Sequence, residues 1–291
     1  MGSLSLLKYL IYYNPIIMLM PDKLFLRLHF LKSIGAPLNL KNPRTFNEKL
    51  QWIKLYDRKP IYSIMVDKYE AKKYVSDRIG MEHVVPTIGV WNNFNEIPFD
   101  ELPDQFVLKC THDSGGLVIC TDKKKFDADK SRKKISHSLK RNYFWMGREW
   151  PYKNVPHRIL AEEYLTDVNQ SGSSLNVYKV MTFNGEPKII QTIQNDKLSS
   201  ESIDYFDIEW NKLDIRQDYP NSVVTLPKPK HLDEMLSFAS ILSEGRSFLR
   251  VDFYEVNDMV YFSEFTFFSD NGFARFNDSE WDRLLGDWIS L

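Results

Sequence analysis

The hydrophobic period of this chain changes partway along, and that change limits the folds open to it. Up to about residue 80 the apolar residues recur at helical spacing. Leu24, Leu28 and Leu31 share one face, and Phe46, Leu50 and Ile53 share another after Asn42-Pro43. Thr45, three residues before Glu48, has the spacing of a capping box, in which hydroxyl and carboxylate each satisfy an orphan amide of the first turn. Another helix is expected over 62–79, ended by Gly80. The period then drops to two. Phe106–Cys110 (FVLKC) and Leu117–Cys120 (LVIC) read as short strands around a loop at 111–116. Residues 130–143 return to helix. Three alternating segments follow at 158–164, 176–183 and 187–194, and Asn184-Gly185 marks a hairpin because both residues tolerate positive φ. A helix over 231–242 precedes a last strand pair, 248–255 and 259–267, turned at Asn257-Asp258. Helices followed by antiparallel strands make an α+β chain.

Composition narrows the function. The sequence has 38 Lys and Arg against 39 Asp and Glu, a net charge of −1, which argues against a protein that coats nucleic acid. Two cysteines, Cys110 and Cys120, exclude a disulfide framework or a multi-cysteine zinc fold, and both are expected as reduced core thiols in the cytoplasm. The most apolar stretch, residues 4–20, is broken by Lys8, Asn14 and Pro15 before it could span a bilayer. It has neither the basic start nor the cleavage site of a secretory signal, and Leu6 stands where myristoylation needs Ser or Thr. It reads as a helix packed on the body or resting on the inner membrane surface. Charge is uneven along the chain. Residues 122–153 hold 11 Lys and Arg against 4 Asp and Glu, and residues 250–291 hold 3 against 9. Such runs are either solvated faces or a basic lobe opposing an acidic one around a polyphosphate and metal.

Three segments carry chemistry. Lys109, at a strand end beside Ser114-Gly115-Gly116, gathers an ammonium and several amides around one space, as phosphate oxygens require. The spacing is not that of a Walker P-loop. Arg250-Val-Asp252 and Ser263-Glu264-Phe-Thr266 form the second segment. In paired strands Asp252 and Glu264 would share a face about 5–6 Å apart. That suits a hard cation bridged to phosphates. Arg250 shares that face and suits a transferred phosphoryl group or an anionic substrate. The third, Ala161-Glu162-Glu163-Tyr164-Leu165, fits a nucleotide hinge at a strand end. His112 lies in the glycine loop, where it either donates to an oxyanion or braces the loop. The remaining histidines show no metal-ligand spacing.

In this order the segments resemble the TupA-like branch of the ATP-grasp family, associated with teichuronopeptide and other surface-polysaccharide synthesis. The matching stretches are 43–52 (PRTFNEKLQW), Asp67-Lys68-Tyr69, 102–109 (LPDQFVLK), 161–164 (AEEY), Tyr178-Lys179 with Phe183-Asn184-Gly185, 248–252 (FLRVD) and 264–267 (EFTF). The resemblance implies two α+β subdomains gripping ATP, with a helical N-terminal region, 1–60, in place of the usual α/β domain. A small subdomain with the phosphate loop would occupy 61–161, and a core subdomain with the metal strands 162–291. It implies ATP and Mg²⁺ as cofactors. Lys68, Lys109, His112, Ser114, Gly115, Gly116, Glu162, Glu163, Tyr164 and Leu165 would bind ATP. Lys179 and Arg250 would be catalytic. Asp252 and Glu264 would hold the metal, with Thr266 where the family usually has Asn, and Asn271 as its substitute. The implied reaction is an amide ligation through an acyl phosphate, joining an amine or amino acid to a uronic acid of a surface glycan. It involves no nucleic acid and leaves the oligomeric state open. The rival readings are a glycosyltransferase using Asp252 and Glu255 as its metal motif, and a non-catalytic nucleotide-binding scaffold.

Overall fold

The computed structural model describes residues 13–167, 175–194 and 201–291. The first part of the apolar 4–20 stretch therefore lies outside the described residues. Two short helices open the described chain, α1 (Pro15–Leu19) and α2 (Asp22–Ile34). α2 buries Phe25, Leu26 and Phe30 in a small cluster with Leu38 and Leu40. Leu24, Leu28 and Leu31 are periodic as expected but point outward, 47%, 51% and 51% exposed. The aromatic stripe offers more apolar area than the leucine stripe and takes the inner side.

α3 (Phe46–Tyr56) starts at the expected capping box: Glu48 N donates to Thr45 Oγ1 at 3.2 Å and Thr45 N to Glu48 Oε2 at 3.2 Å. The helix expected over 62–79 is two, α4 (Ile61–Val66) and α5 (Glu70–Ile79). Asp67 makes the break, because its Oδ1 accepts from Tyr69 N at 3.0 Å at the start of α5 while its Oδ2 takes Arg158 at 2.7 Å.

Two antiparallel sheets follow. The first has the order β1 (Thr87–Trp91), β4 (Ile159–Glu163), β2 (Phe106–Cys110), β3 (Leu117–Cys120), covered by α6 (Ala128–Leu139). A one-turn helix, α7 (Phe144–Gly147), connects α6 toward β4. The second sheet runs β10 (Met259–Thr266), β9 (Phe248–Val256), β5 (Val177–Phe183), β6 (Glu186–Gln194), β7 (Ser202–Phe206), β8 (Lys212–Leu213). α8 (Leu232–Ser243) packs on it, and α9 (Ser279–Asp287) returns against α3. Both expected hairpin turns have the backbone they need, with φ 52° and 85° at Asn184-Gly185 and 50° and 63° at Asn257-Asp258. β1, β7 and β8 have no counterpart in the sequence reading.

Packing redraws two expected boundaries. α4 and α5 fall in the stretch assigned to the small subdomain, yet Tyr62, Met65, Tyr74 and Val75 join the core of the six-stranded sheet. The Tyr74 ring meets Phe265 of β10 edge-on at 5.8 Å. The border between 161 and 162 cuts β4, whose Glu162 and Glu163 still pair with Val107 and Phe106. The charge runs also turn out differently. Lys133 and Lys134 of the basic run are exposed on α6, so that run is largely a solvated face. The cations that meet the acidic strands come from elsewhere in the chain.

Candidate active site

Register builds the site. Across the six-stranded sheet Glu264 stands opposite Asp252, Asp252 opposite Lys179, Lys179 opposite Gln191, and Gln191 opposite Tyr205. Because side chains alternate along a strand, this row lies on one face. Arg250 is two residues before Asp252 and shares that face. Its Nε and Nη2 donate to the two Asp252 oxygens at 2.8 and 2.9 Å, and Nη2 also donates to Thr266 Oγ1 at 3.0 Å. Lys179 Nζ lies 3.7 Å from Asp252.

The four-stranded sheet contributes from the other side. Glu162 of β4 is 5% exposed and takes Lys109 of β2 and Lys72 of α5, each at 2.5 Å. Lys68 joins the two halves: its Nζ donates to Asp113 O in the glycine loop at 2.8 Å and lies 3.8 Å from Glu264. The cluster thus sets five cations (Lys68, Lys72, Lys109, Lys179, Arg250) against Glu162, Asp252, Glu264 and the nearby Asp270, one positive charge in excess. A partly desolvated cleft with that surplus favours an anion.

The protonation states agree. Burial opposes the Lys109 ammonium, but Glu162 outweighs it and the pKa rises. Burial would lift the Glu162 carboxyl, yet the two lysines hold it below its usual value. Lys72 shares the same carboxylate but is lowered, because burial outweighs its attraction to Glu162 and Lys109 adds like charge. Burial and the neighbouring Arg250 lower Lys179, while Arg250 itself is raised, Asp252 overcoming its burial. Glu264 is held down against its desolvation by Lys68, Lys179 and Arg250.

Six of the expected residues therefore meet: Lys68, Lys109, Lys179, Arg250, Asp252 and Glu264. Others stand differently. His112 does not face the phosphate side. It is fully buried, stacked on His157 with ring centroids 3.7 Å apart, and its Nε2 lies 3.1 Å from Arg141 O. Gly116 is buried and its amide donates to Asp113 Oδ1 at 3.2 Å, so at the loop tip only Ser114 and Gly115 are exposed. Glu162 is spent on its lysines and points away from a hinge role. Glu163 is exposed, its amide bonded to Pro86 O at 3.1 Å, with Tyr164 and Leu165 just beyond the strand. Thr266 holds Arg250. The Asn271 side-chain oxygen is buried against Gly147.

Several contributors had no sequence signature. Lys72 is defined by partners distant in sequence, and Asp113 by such partners together with the nearby Gly116 amide. Asp113 Oδ2 fixes the loop by taking Ser138 Oγ and, at 2.7 Å, Arg141. Asp270, at φ 47°, acts electrostatically on both Arg250 and Lys179. The donors fit Mg²⁺, which typically takes one or two protein carboxylates and completes its shell with water and substrate phosphates. Glu264 is half-exposed toward the cleft and faces Asp252. Among the described residues no group of three or more His, Cys, Asp or Glu forms an all-protein metal cage.

The sequence model of the TupA-like ATP-grasp family matches residues 48–290. The chain belongs to that family. No curated protein matches it. Among solved structures it is similar to D-alanine–D-alanine ligase from Bacillus anthracis complexed with ATP, at 17% identity and a TM-score of 0.38, covering 81% of this chain and 60% of that one. It is also similar to the ATP-grasp ligase PsnB complexed with minimal precursor, at 12% identity and a TM-score of 0.43, covering 83% and 65%. D-Ala–D-Ala ligase from Helicobacter pylori gives 14%, 0.41, 77% and 60%. The chain thus spans less than two thirds of these structures. The TupA-like ATP-grasp assignment rests on the family match.

Proposed function

We propose that this protein is an ATP- and Mg²⁺-dependent ligase that joins a carboxylate to an amine through an acyl phosphate. The observation that carries the reading is the convergence of Lys68, Lys179 and Arg250 on the Glu264–Asp252 pair, with Lys109, held by Glu162 of the other sheet, acting on Glu264 as well. Phosphoryl transfer asks little covalent chemistry of a protein; it asks for in-line placement and charge neutralisation. Lys68 and Lys109 hold the terminal phosphates under Ser114 and Gly115, and Lys179 and Arg250 steady the group in transit. Glu264 and Asp252 would hold Mg²⁺, and the ion would supply charge neutralisation at the phosphate. The carboxylate oxygen attacks the γ-phosphorus and ADP leaves; the amine then attacks the acyl carbon and phosphate leaves. In this reading the ligase attaches an amino acid or amine to a uronic acid of a capsular or other surface glycan, and the only support for those substrates is the family match.

The same reading takes the outward ridge of Ile16, Leu19, Leu24, Leu28 and Leu31, flanked by Lys23, Arg27 and Lys32, as a peripheral contact with an anionic inner membrane face. Among the described residues no helix is long and apolar enough to cross a membrane. The glycosyltransferase alternative needs Asp252 and Glu255 to converge on a metal. Glu255 instead accepts from His231 N at 2.8 Å before α8, on the other side of the sheet.

Thermal denaturation tests the reading. MgATP at a hundredfold excess over Kd should add about 2.7 kcal/mol of stability, and UDP-sugars should add none. A UDP-sugar shift larger than that of MgATP would overturn it.

A further inference from the structure

Beyond Lys179 the carboxylate row continues into groups of a different character. Gln191 is 3% exposed, and its Nε2 donates to Tyr205 Oη at 3.3 Å. Tyr205 Oη in turn donates to Gln217 Oε1 at 2.7 Å. The other end of the Gln191 amide, Oε1, is buried with no hydrogen-bond partner. Leaving such an acceptor unsatisfied costs about 1–3 kcal/mol, which a donor arriving from outside would recover. Tyr205 and Gln217 line a small cleft together with Asp218 and Asp270, with about 20 Å³ of room, enough for a group the size of a water or an amino nitrogen. Both carboxylates act on Tyr205, and Asp270 also acts on Lys179 and Arg250.

Asp270 is held there deliberately. It and Asn271 adopt φ 47° and 56°, a backbone that costs about 1–3 kcal/mol at a non-glycine residue and persists only where its surroundings enforce it. Lys54 Nζ at 2.7 Å and Gln51 Nε2 at 3.1 Å, both from α3, clamp the Asn271 carbonyl. The helical N-terminal region thereby fixes a carboxylate at the edge of the cleft.

Polarity therefore reverses along one sheet face. Cations prevail where Lys68, Lys109, Lys179 and Arg250 gather; acceptors prevail at Gln191, Asp218 and Asp270. We propose that the Tyr205–Gln217–Asp270 cleft receives the amino group of the amine co-substrate, a primary amine whose N–H groups meet the Asp270 carboxylate at the cleft and Gln191 Oε1 behind Tyr205. The proposal rests on the ligase reading, for which it names the second substrate's place. The geometry suits it, because Gln191 lies directly beside Lys179, where the activated carbonyl would stand.

The test uses the full chain with MgATP, D-glucuronate and hydroxylamine as the amine probe, and follows ADP and hydroxamate. The variants are Asp270→Asn, at an exposed side chain, and Gln191→Leu, each checked by melting temperature. The Michaelis constant for hydroxylamine should rise about tenfold in both variants, well beyond any change in that for ATP, as loss of one charged or buried hydrogen bond implies. An unchanged hydroxylamine constant in Asp270→Asn, or a fall in turnover alone, would overturn the subsite and leave the ligase standing. No ADP from the unmodified protein with glucuronate would overturn the ligase reading, and the subsite with it.

Discussion

Glu162 shows how much one residue's environment decides. Two lysines converge on a carboxylate that is nearly sealed from water. Removing one partner of such a pair strands the others, which typically costs about 3–5 kcal/mol. Urea titration of Glu162→Gln should show a loss of that size, whereas Glu163→Gln, one residue on and exposed, should change stability by less than about 0.5 kcal/mol. Equal effects would contradict the buried triad. His112 offers a second check. Burial and the neighbouring His157 lower its pKa to about 4, below its ordinary 6.5. The folded protein thus prefers the neutral ring, and the unfolded chain takes up the proton first. This contribution is present above about pH 6.5 and is lost as pH falls toward about 4. Stability measured across that window should fall less steeply in His112→Phe than in the parent; parallel curves would show that the ring does not titrate there. The types at Lys109, Arg250, Asp252 and Glu264 were readable from sequence because strand alternation sets which residues share a face. The role of Glu162 was not, because its partners lie on β2 and α5.

At the scale of elements, local chemistry was readable and tertiary choice was not. The capping box of α3 and the two hairpin turns follow from residues adjacent in sequence. The break at Asp67 depends on Arg158, ninety-one residues away, and the burial of Phe25 over Leu28 depends on what packs beneath α2. β7 carries Asp204 in a fully buried position, held by Lys212 at 2.7 Å, so its polarity disguised it as a loop. Packing of α9 on α3 makes a sharp prediction. A Cβ at Gly286 would overlap the backbone carbonyl of Arg44 and the amide of Phe46, atoms that cannot rotate away. Gly286→Ala should therefore destabilise by about 1–3 kcal/mol, the usual cost of overpacking. Because α3 also holds the Asn271 carbonyl, the same variant should weaken amine use more than ATP binding, as read by their separate Michaelis constants. A variant as stable as the parent would mean that the two helices do not approach this closely.

Over the whole molecule, the site exists only because both sheets supply it. Lys109 and Glu162 belong to one and Asp252, Lys179 and Glu264 to the other, with Lys68 between them. The order of motifs along the chain revealed this gathering, since the family's arrangement was recognisable; the amine cleft was not, being assembled from Gln191, Tyr205, Gln217 and Asp270 without any shared motif. In the proposed reaction the site between the two sheets transfers the terminal phosphate of ATP to a carboxylate. The direct measurement is nucleotide chromatography after incubating the protein with MgATP, uronic acids and amino acids, alongside Glu264→Gln. Release of ADP and phosphate that requires the carboxylate, and that falls at least about a hundredfold in the Glu264→Gln variant while its melting temperature holds, is the predicted result. AMP and pyrophosphate as products, or ADP release undiminished by the substitution, would contradict it.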